Sequence, residues 1–334
     1  MDQERYSRQI LYKNIGLKGQ QRMHNKCVLI VGMGALGTHI AEGLVRAGLG
    51  NLYIVDRDYI EWSNLQRQTL YTEEDANQAL PKVVAAEKHL TAIRSDVNMT
   101  TFITHVTPQF LETHARHVDV IIDATDNFET RQVINDFAYA HHIPWIYGGV
   151  VQSTYVSCTF IPGETPCFNC VMPQLPTINM TCDTVGVIQP AVTMTTSLQL
   201  RDALKLLVEA PFIPKLTYGD IWDGEHHAFQ FARMHRTTCE TCGETPTFPH
   251  LTQHASPYAR LCGRDTVQFM NNQVTWEMMM DYLEAHDHTY VSNAYMIRFK
   301  FKGYRFVYFK GGRFLIHGMT KIEDAQTIVR QMFG

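Results

Sequence analysis

No stretch of this 334-residue chain approaches about eighteen consecutive apolar residues, so a membrane-spanning helix is excluded. Cysteine is scarce. Eight in the whole chain are too few for a disulfide scaffold, and four of them form two C-x-x-C pairs. In a reducing compartment that pattern belongs to metal or redox chemistry. A surplus of positive charge is also missing, since 29 Lys and Arg face 33 Asp and Glu for a net charge of −4. A general nucleic-acid binder neutralises phosphates with a basic surface, so no nucleic-acid partner is expected, although a local basic pocket stays open. The opening residues, Met1 to Arg8, are charged and carry no apolar signal-peptide core, so a cytoplasmic location is expected. Internal repeats are absent. What is present is an ordinary globular balance, 45% apolar and 19% charged, in a chain long enough for about two domains.

The first 150 residues alternate strands with helices. Val28–Val31, Leu52–Val55 and Val118–Asp123 are continuous apolar runs rich in β-branched residues, as in strands buried on both faces of a parallel sheet. Thr38–Ala47, Lys82–Ile93 and Arg131–His141 carry helical spacing. The fold expected is therefore α/β, with a Rossmann-like, mostly parallel sheet and helices on both faces. Ser153–Ile161 and residues 216–234 read as an antiparallel extension, Thr193–Glu209 as a helix, and the proline-rich segment 162–190 as a long loop. Residues 246–257, with Pro246, Pro249 and Pro257, read as a linker between a domain at 1–245 and a small α+β unit at 258–334. In that unit helix Thr275–His286, strands Tyr290–Phe301, Tyr304–Phe309 and Arg313–His317, and helix Ile322–Met332 are expected, with Met278–Met280 in the core.

Gly32-x-Gly34-x-x-Gly37 follows a strand and opens a helix, where backbone N–H groups and a helix N-terminus can approach phosphate oxygens. Asp56 stands at the end of the next strand, placed to bind ribose hydroxyls. These features point to a nucleotide without separating NAD, FAD and ATP. Asp58, Asn64, Arg67, Gln68 and Lys82 follow. A dehydrogenase has no need of an added Arg and Lys at the phosphates, whereas cleavage between the α- and β-phosphates builds charge there, so the set favours ATP.

Cys167-x-x-Cys170 and Cys239-x-x-Cys242, 68 residues apart, supply four thiolates, enough for a closed tetrahedral zinc site. A redox pair or an iron–sulfur cluster are the alternatives. Cys182 lies in the proline-rich loop, while Cys27, Cys158 and Cys262 read as packing residues.

Five motifs occur in order: Arg5-Tyr6-Ser7-Arg8-Gln9-Ile10, Gly32-Met33-Gly34-Ala35-Leu36-Gly37, Ser63-Asn64-Leu65-Gln66-Arg67-Gln68, Pro81-Lys82 and Asp123-Ala124-Thr125-Asp126-Asn127. Together they resemble the molybdopterin-synthase and thiazole-pathway adenylyltransferases, which activate ubiquitin-like sulfur carriers, over residues 4–245. The resemblance implies that Gly32, Gly34 and Gly37 cradle the ATP phosphates, that Asp56 holds the ribose, and that Asn64, Arg67 and Lys82 contact the phosphates, with Asp58 and Gln68 also among the nucleotide-binding residues. It implies Mg²⁺ on Asp126, with Asn127 and Arg131 nearby, and Arg8 reaching across a homodimer to the partner's ATP. It also implies structural zinc on the four cysteines and matches Cys182 to a family cysteine that can form a covalent link to the carrier. Ala35 departs from the family, where many members have a third glycine; a methyl group is tolerated there if φ is negative.

The activity expected from this resemblance is adenylation of a carrier's C-terminal Gly-Gly carboxylate by ATP. The molybdopterin carrier is the first expectation and the thiamine-pathway carrier the second. A separate sulfur donor, such as a cysteine desulfurase or a rhodanese, would complete the sequence. The C-terminal unit is not itself a rhodanese domain, since no cysteine follows Cys262 to carry a persulfide.

Overall fold

A computed structural model describes residues 4–172, 185–252, 258–261 and 265–333. The chain forms two compact units, Met1–Gln253 and His254–Gly334. In the first, α1 (Ser7–Ile10) and α2 (Gly16–Asn25) precede β1 (Cys27–Val31), whose five side chains are all buried. Then come α3 (Ala35–Ala47), β2 (Asn51–Val55), α4 (Glu73–Asn77), α5 (Lys82–Ile93), β3 (Asn98–Phe102), α6 (Pro108–His114), β4 (Val120–Asp123) and α7 (Phe128–Ala140). β5 (Trp145–Val151), β6 (Thr154–Phe160), α8 (Phe168–Val171), α9 (Gln189–Leu207), β7 (Leu216–Asp220) and β8 (His227–Phe229) complete the unit.

The sheet order is β3-β2-β1-β4-β5-β6-β7-β8. Strands pair in parallel from β3 to β5 and antiparallel from β5 to β8. Ile40, Leu44, Leu90 and Val192, from α3, α5 and α9, belong to one apolar core. Leu111, Ile134 and Phe137, from α6 and α7, belong to a second core with Trp145 and Phe160. Helices thus cover both faces, as the alternating pattern implies. The chain winds outward in opposite directions from β1 and β4, and that reversal opens a crevice at the strands' C-terminal ends.

β3, α4, α6 and α8 escaped the sequence reading, and α8 falls within the segment read as a long loop. β3, with Asn98, Thr100 and Thr101, is a partly exposed edge strand with no apolar run to mark it. The start of α6 is set by Thr107, whose hydroxyl accepts the Phe110 N–H, with Pro108 next to it. α7 starts three residues before its expected position because Asn127 Oδ1 accepts the Thr130 N–H at 2.9 Å.

The second unit contains β9 (Tyr258–Leu261), β10 (Thr266–Met270), α10 (Trp276–Ala285), β11 (Tyr290–Ser292), β12 (Met296–Phe301), β13 (Tyr304–Phe309), β14 (Arg313–His317) and α11 (Ile322–Phe333). Its antiparallel sheet runs β11-β12-β13-β14-β10-β9. Two corrections apply. β9 and β10 precede the helix that the sequence reading placed first, and Tyr290–Phe301 is two strands. Asn293 makes that break, its Oδ1 accepting the N–H groups of Tyr295 and Met296. Of the three consecutive methionines, helical period turns Met279 fully into the core and leaves Met278 exposed. No helix among the described residues is long and apolar enough to cross a membrane.

Candidate functional site

The glycine loop sits where β1 meets α3, beside the C-terminal end of β4. Gly32 has φ +96°, and a Cβ there would lie 2.6 Å from the Ala124 carbonyl oxygen. A Cβ on Gly37 would lie 2.0 Å from the Gly32 carbonyl oxygen. These two positions demand glycine for the turn and for helix-to-strand contact. Gly34 differs. A Cβ there would meet only Gln68 Nε2, at 3.8 Å, so space lies open at the N-terminus of α3. Ala35 avoids the positive-φ region, so its methyl group is accommodated.

Around that space the chain gathers polar groups. Asp56 accepts the Met33 N–H at 2.6 Å on one carboxylate oxygen and the Asp58 N–H at 2.7 Å on the other. Each oxygen keeps a lone pair for a further donor. Asp58 in turn faces Lys82, with 3.5 Å between Oδ2 and Nζ, and the lysine side chain is 5% exposed. Gln68 is buried, and among the described residues its Oε1 has no hydrogen-bond partner. A buried amide with unused capacity beside an open helix N-terminus is the chemistry of a ligand cradle. Asn64, also buried, accepts the Glu61 N–H at 3.0 Å and so shapes the turn. Arg67 donates to its own turn, at the Ser63 carbonyl, 2.9 Å away.

β4 supplies the other wall. Asp126 is exposed in the loop between β4 and α7. Arg131 is not free in the crevice. Its side chain is 9% exposed, its Nε donates to Asp123 at 3.0 Å and its Nη2 to the Thr125 carbonyl at 2.6 Å. Burial lowers the pKa of this guanidinium, but the Asp123 carboxylate outweighs burial and pushes it up. Arg131 therefore holds the shape of the Asp123–Asn127 loop. Arg8 lies exposed on α1 and is not drawn into the cradle of its own chain. Cys182 lies outside the described residues.

Tyr71 and Gln199 were not singled out from the sequence. Tyr71, buried, donates to the Met33 carbonyl at 2.7 Å and also lies 3.1 Å from the Lys82 carbonyl. One hydroxyl thereby links the glycine loop to the start of α5. Gln199 Nε2 donates to the Asp123 carbonyl at 2.8 Å, tying α9 to the end of β4. Its only sequence signal was a polar residue on the buried face of a helix.

A separate cluster joins the four expected cysteines. Their sulfurs all lie within 4.8 Å of one another. Cys167–Cys239 and Cys170–Cys242 are each 3.5 Å apart, and none of the four is disulfide-bonded. Tetrahedral zinc with bonds near 2.3 Å needs sulfurs ~3.8 Å apart, so the donor set fits zinc. The surroundings hold the two knuckles still. Asp136 of α7 accepts the Thr241 hydroxyl at 2.5 Å and the His250 N–H at 2.9 Å, and Asn169 donates to the same hydroxyl. The hydrogen bond with Cys242, and burial after it, push the Cys167 thiol up, and burial pushes the Cys170 thiol up. Burial acts the same way on Cys239, but the N–H groups of Cys242 and Thr241 overcome it and bring that thiol down to about 7.

The ThiF family model matches residues 6–242, a span that takes in both the cradle and the cysteine cluster. The chain belongs to the ThiF family. It is 41% identical over 334 residues to the sulfur carrier protein ThiS adenylyltransferase of Bacillus subtilis, covering 99% of each chain. It is 32% identical to the molybdopterin-synthase adenylyltransferase of Escherichia coli, over 73% of this chain and 98% of that one. A crystal structure of E. coli MccB with ATP superposes with a TM-score of 0.62 at 21% identity, over 72% of this chain and 75% of that one, a likeness of fold. As a ThiF-family member the chain is an enzyme that transfers an adenylyl group.

Proposed function

We propose that this ThiF-family enzyme adenylates the C-terminal Gly-Gly carboxylate of the ubiquitin-like sulfur carrier of the thiamine pathway. The observation that carries this choice is the match to the B. subtilis enzyme, which extends over 99% of both chains and so includes the C-terminal unit. Activation of the molybdopterin carrier, the first expectation from sequence, is the second reading. Its support is the 32% identity to the E. coli molybdopterin-synthase adenylyltransferase, which covers 73% of this chain.

In this reading the phosphates of ATP lie against Gly34 and the start of α3, and Asp56 accepts from the ribose hydroxyls. A carboxylate oxygen of the carrier attacks the α-phosphorus. The α–β P–O bond breaks, pyrophosphate leaves with the bond's electron pair, and a mixed acyl-phosphate anhydride remains. Lys82, with Asn64, Arg67 and Gln68, neutralises the charge that develops on the leaving group. Asp126 would hold Mg²⁺, which supplies charge neutralisation between the phosphates. Arg8 would reach the cradle of a second copy, which makes the homodimer the working unit, in the cytoplasm. Zinc on the four cysteines would be structural. A separate sulfur donor would then displace AMP, with Cys182 the candidate for a covalent link to the carrier.

Incubation with ATP, Mg²⁺ and each carrier in turn, followed by intact-mass measurement of the carrier, tests the proposal. An adenylate on the thiamine-pathway carrier alone is expected. An adenylate on the molybdopterin carrier alone would replace the first reading with the second, and modification of neither would reject both.

A further inference from the structure

β4 and β5 separate at the end of the sheet where the crevice opens. Their pairing stops at Ile122 and Ile146, while β1 and β4 stay paired as far as Val31 and Asp123. The Asp123 carbonyl lies beyond the last β4–β5 pair, and its donor is a side chain, Gln199 Nε2 of α9 at 2.8 Å. Arg131 of α7 reaches the same place. Its Nε donates to the Asp123 carboxylate at 3.0 Å and its Nη2 lies 3.4 Å from the Gly148 carbonyl of β5. α9 packs into one apolar core and α7 into the other, so the two side chains enter from opposite faces of the sheet.

Room has been left for that amide. A Cβ on Gly148 would lie 2.5 Å from the Gln199 amide atoms, so glycine is what admits them. Gln199 is wholly buried, and among the described residues its Oε1 has no hydrogen-bond partner. A buried, unpaired carbonyl costs stability that an apolar side chain of the same length would keep. Packing alone therefore explains neither Gly148 nor Gln199. What they secure together is the residue from which the Asp123–Asn127 loop starts. Asp123 Oδ1 accepts the Thr125 N–H at 2.9 Å and the Thr125 hydroxyl at 2.6 Å. Asp123 is thus gripped by its carboxylate and by its carbonyl, and Asp126 stands exposed three residues further on.

We propose that Gln199 is a positioning residue for adenylation: from the α9 side it fixes Asp123, and through Asp123 the pose of the loop that bears Asp126. It rests on the reading that Asp126 holds Mg²⁺ at the phosphates of ATP. Gln199 is buried and touches no reactant, so its whole effect passes through the loop. Its own helix is anchored where it begins, since the Ile188 N–H donates to the Gln152 carbonyl at 3.0 Å. A misplacement of ~1 Å near a reacting centre costs on the order of 10²-fold in rate, so loosening this anchor should be visible in kcat.

The test compares the wild type with Gln199→Met, Gly148→Ala and the double variant. Methionine removes both polar atoms at similar size. Alanine at 148 leaves Gln199 in place but drives its amide off Asp123, and because only the far end of a flexible side chain must move, the fold should survive. Amide hydrogen exchange over residues 123–127 is measured by mass spectrometry without ATP or carrier, and kinetics are measured with the carrier that the wild type adenylates. Exchange in that segment should quicken in both single variants. Their kcat should fall at least about tenfold with the KM for the carrier within about twofold of wild type, and the double variant should be no worse than the weaker single one. Unchanged exchange, a wild-type kcat despite quickened exchange, or losses that multiply in the double variant would each overturn the proposal. A wild type that adenylates no carrier would instead reject the reading on which the proposal rests.

Discussion

The glycine cradle and the cysteine cluster are both assembled from short motifs far apart in sequence, but they leave their polar groups in opposite states. At the cradle, Gly34 faces open space, Gln68 Oε1 is unused, and Asp56 keeps lone pairs beyond its two backbone donors. At the cluster, four sulfurs face one another at 3.5 to 4.8 Å, and the surrounding polar side chains are tied to α7. Unused capacity marks the place where a reactant enters, and mutual satisfaction marks a fastening. The contrast predicts that damage to the two regions separates into lost rate and lost stability.

The largest stability effect should come from Cys239→Ser. Loss of a structural metal removes several kcal/mol of folding free energy, so zinc content should fall and the melting temperature with it. Unchanged zinc by atomic absorption would reject the four-cysteine site. Lys82→Ala should behave in the opposite way. Removal of one preorganised charge-stabilising group costs ~10²–10³ in rate, and the melting temperature should move far less than in Cys239→Ser. Steady-state kinetics with circular dichroism melts on the same samples would show it, and wild-type kcat in Lys82→Ala would break the comparison.

How far such roles were legible in the sequence differs between the two regions. The four thiolates were visible as two spaced pairs, because metal ligands must be those residue types. The cradle was visible in part. Gly32, Gly34 and Gly37 follow an apolar strand, and Asp56 ends the next one, so topology alone brings them together. Tyr71 was not visible, since its hydroxyl acts on the carbonyls of Met33 and Lys82, and no side-chain pattern announces a backbone partner. Arg131 shows the converse limit. A motif placed it near the site, but only the burial of Asp123 reveals that its charge is committed to the loop. In the same way the polar edge strand β3 took its structure from pairing with β2 rather than from its own composition.

Tyr71→Phe sharpens the comparison by testing a residue that touches both a backbone loop and the lysine's helix. Loss of one buried hydroxyl costs ~1 kcal/mol. If the hydroxyl serves to fix the loop against Lys82, kcat should fall by up to about tenfold while the KM for ATP changes little. An equal loss of stability with unchanged kcat would place Tyr71 among the merely structural residues.

The smallest effect concerns Asp75, a buried carboxylate that neighbours the cradle in sequence, caps α4 and ties it to His89 of α5. Burial pushes its pKa up, but hydrogen bonds from His89 and from Thr72 outweigh burial and hold it below the ordinary carboxylate value. A carboxylate with a lowered folded pKa stabilises the protein above its unfolded pKa, and that contribution is lost as pH falls through the lower folded value. Asp75→Asn should therefore cost about 1 kcal/mol near neutrality, and the difference from wild type should shrink in acid. Urea melts across the acid range would check it. A difference that grows on acidification would contradict the assignment.

ATP–pyrophosphate exchange is the most direct test that the open cradle is where the chemistry occurs. Radiolabelled pyrophosphate should enter ATP only when enzyme, Mg²⁺ and a carrier ending in Gly-Gly are all present, and Lys82→Ala should suppress that exchange while retaining its zinc. Exchange that persists at the wild-type rate in Lys82→Ala, or that proceeds without any carrier, would contradict the account.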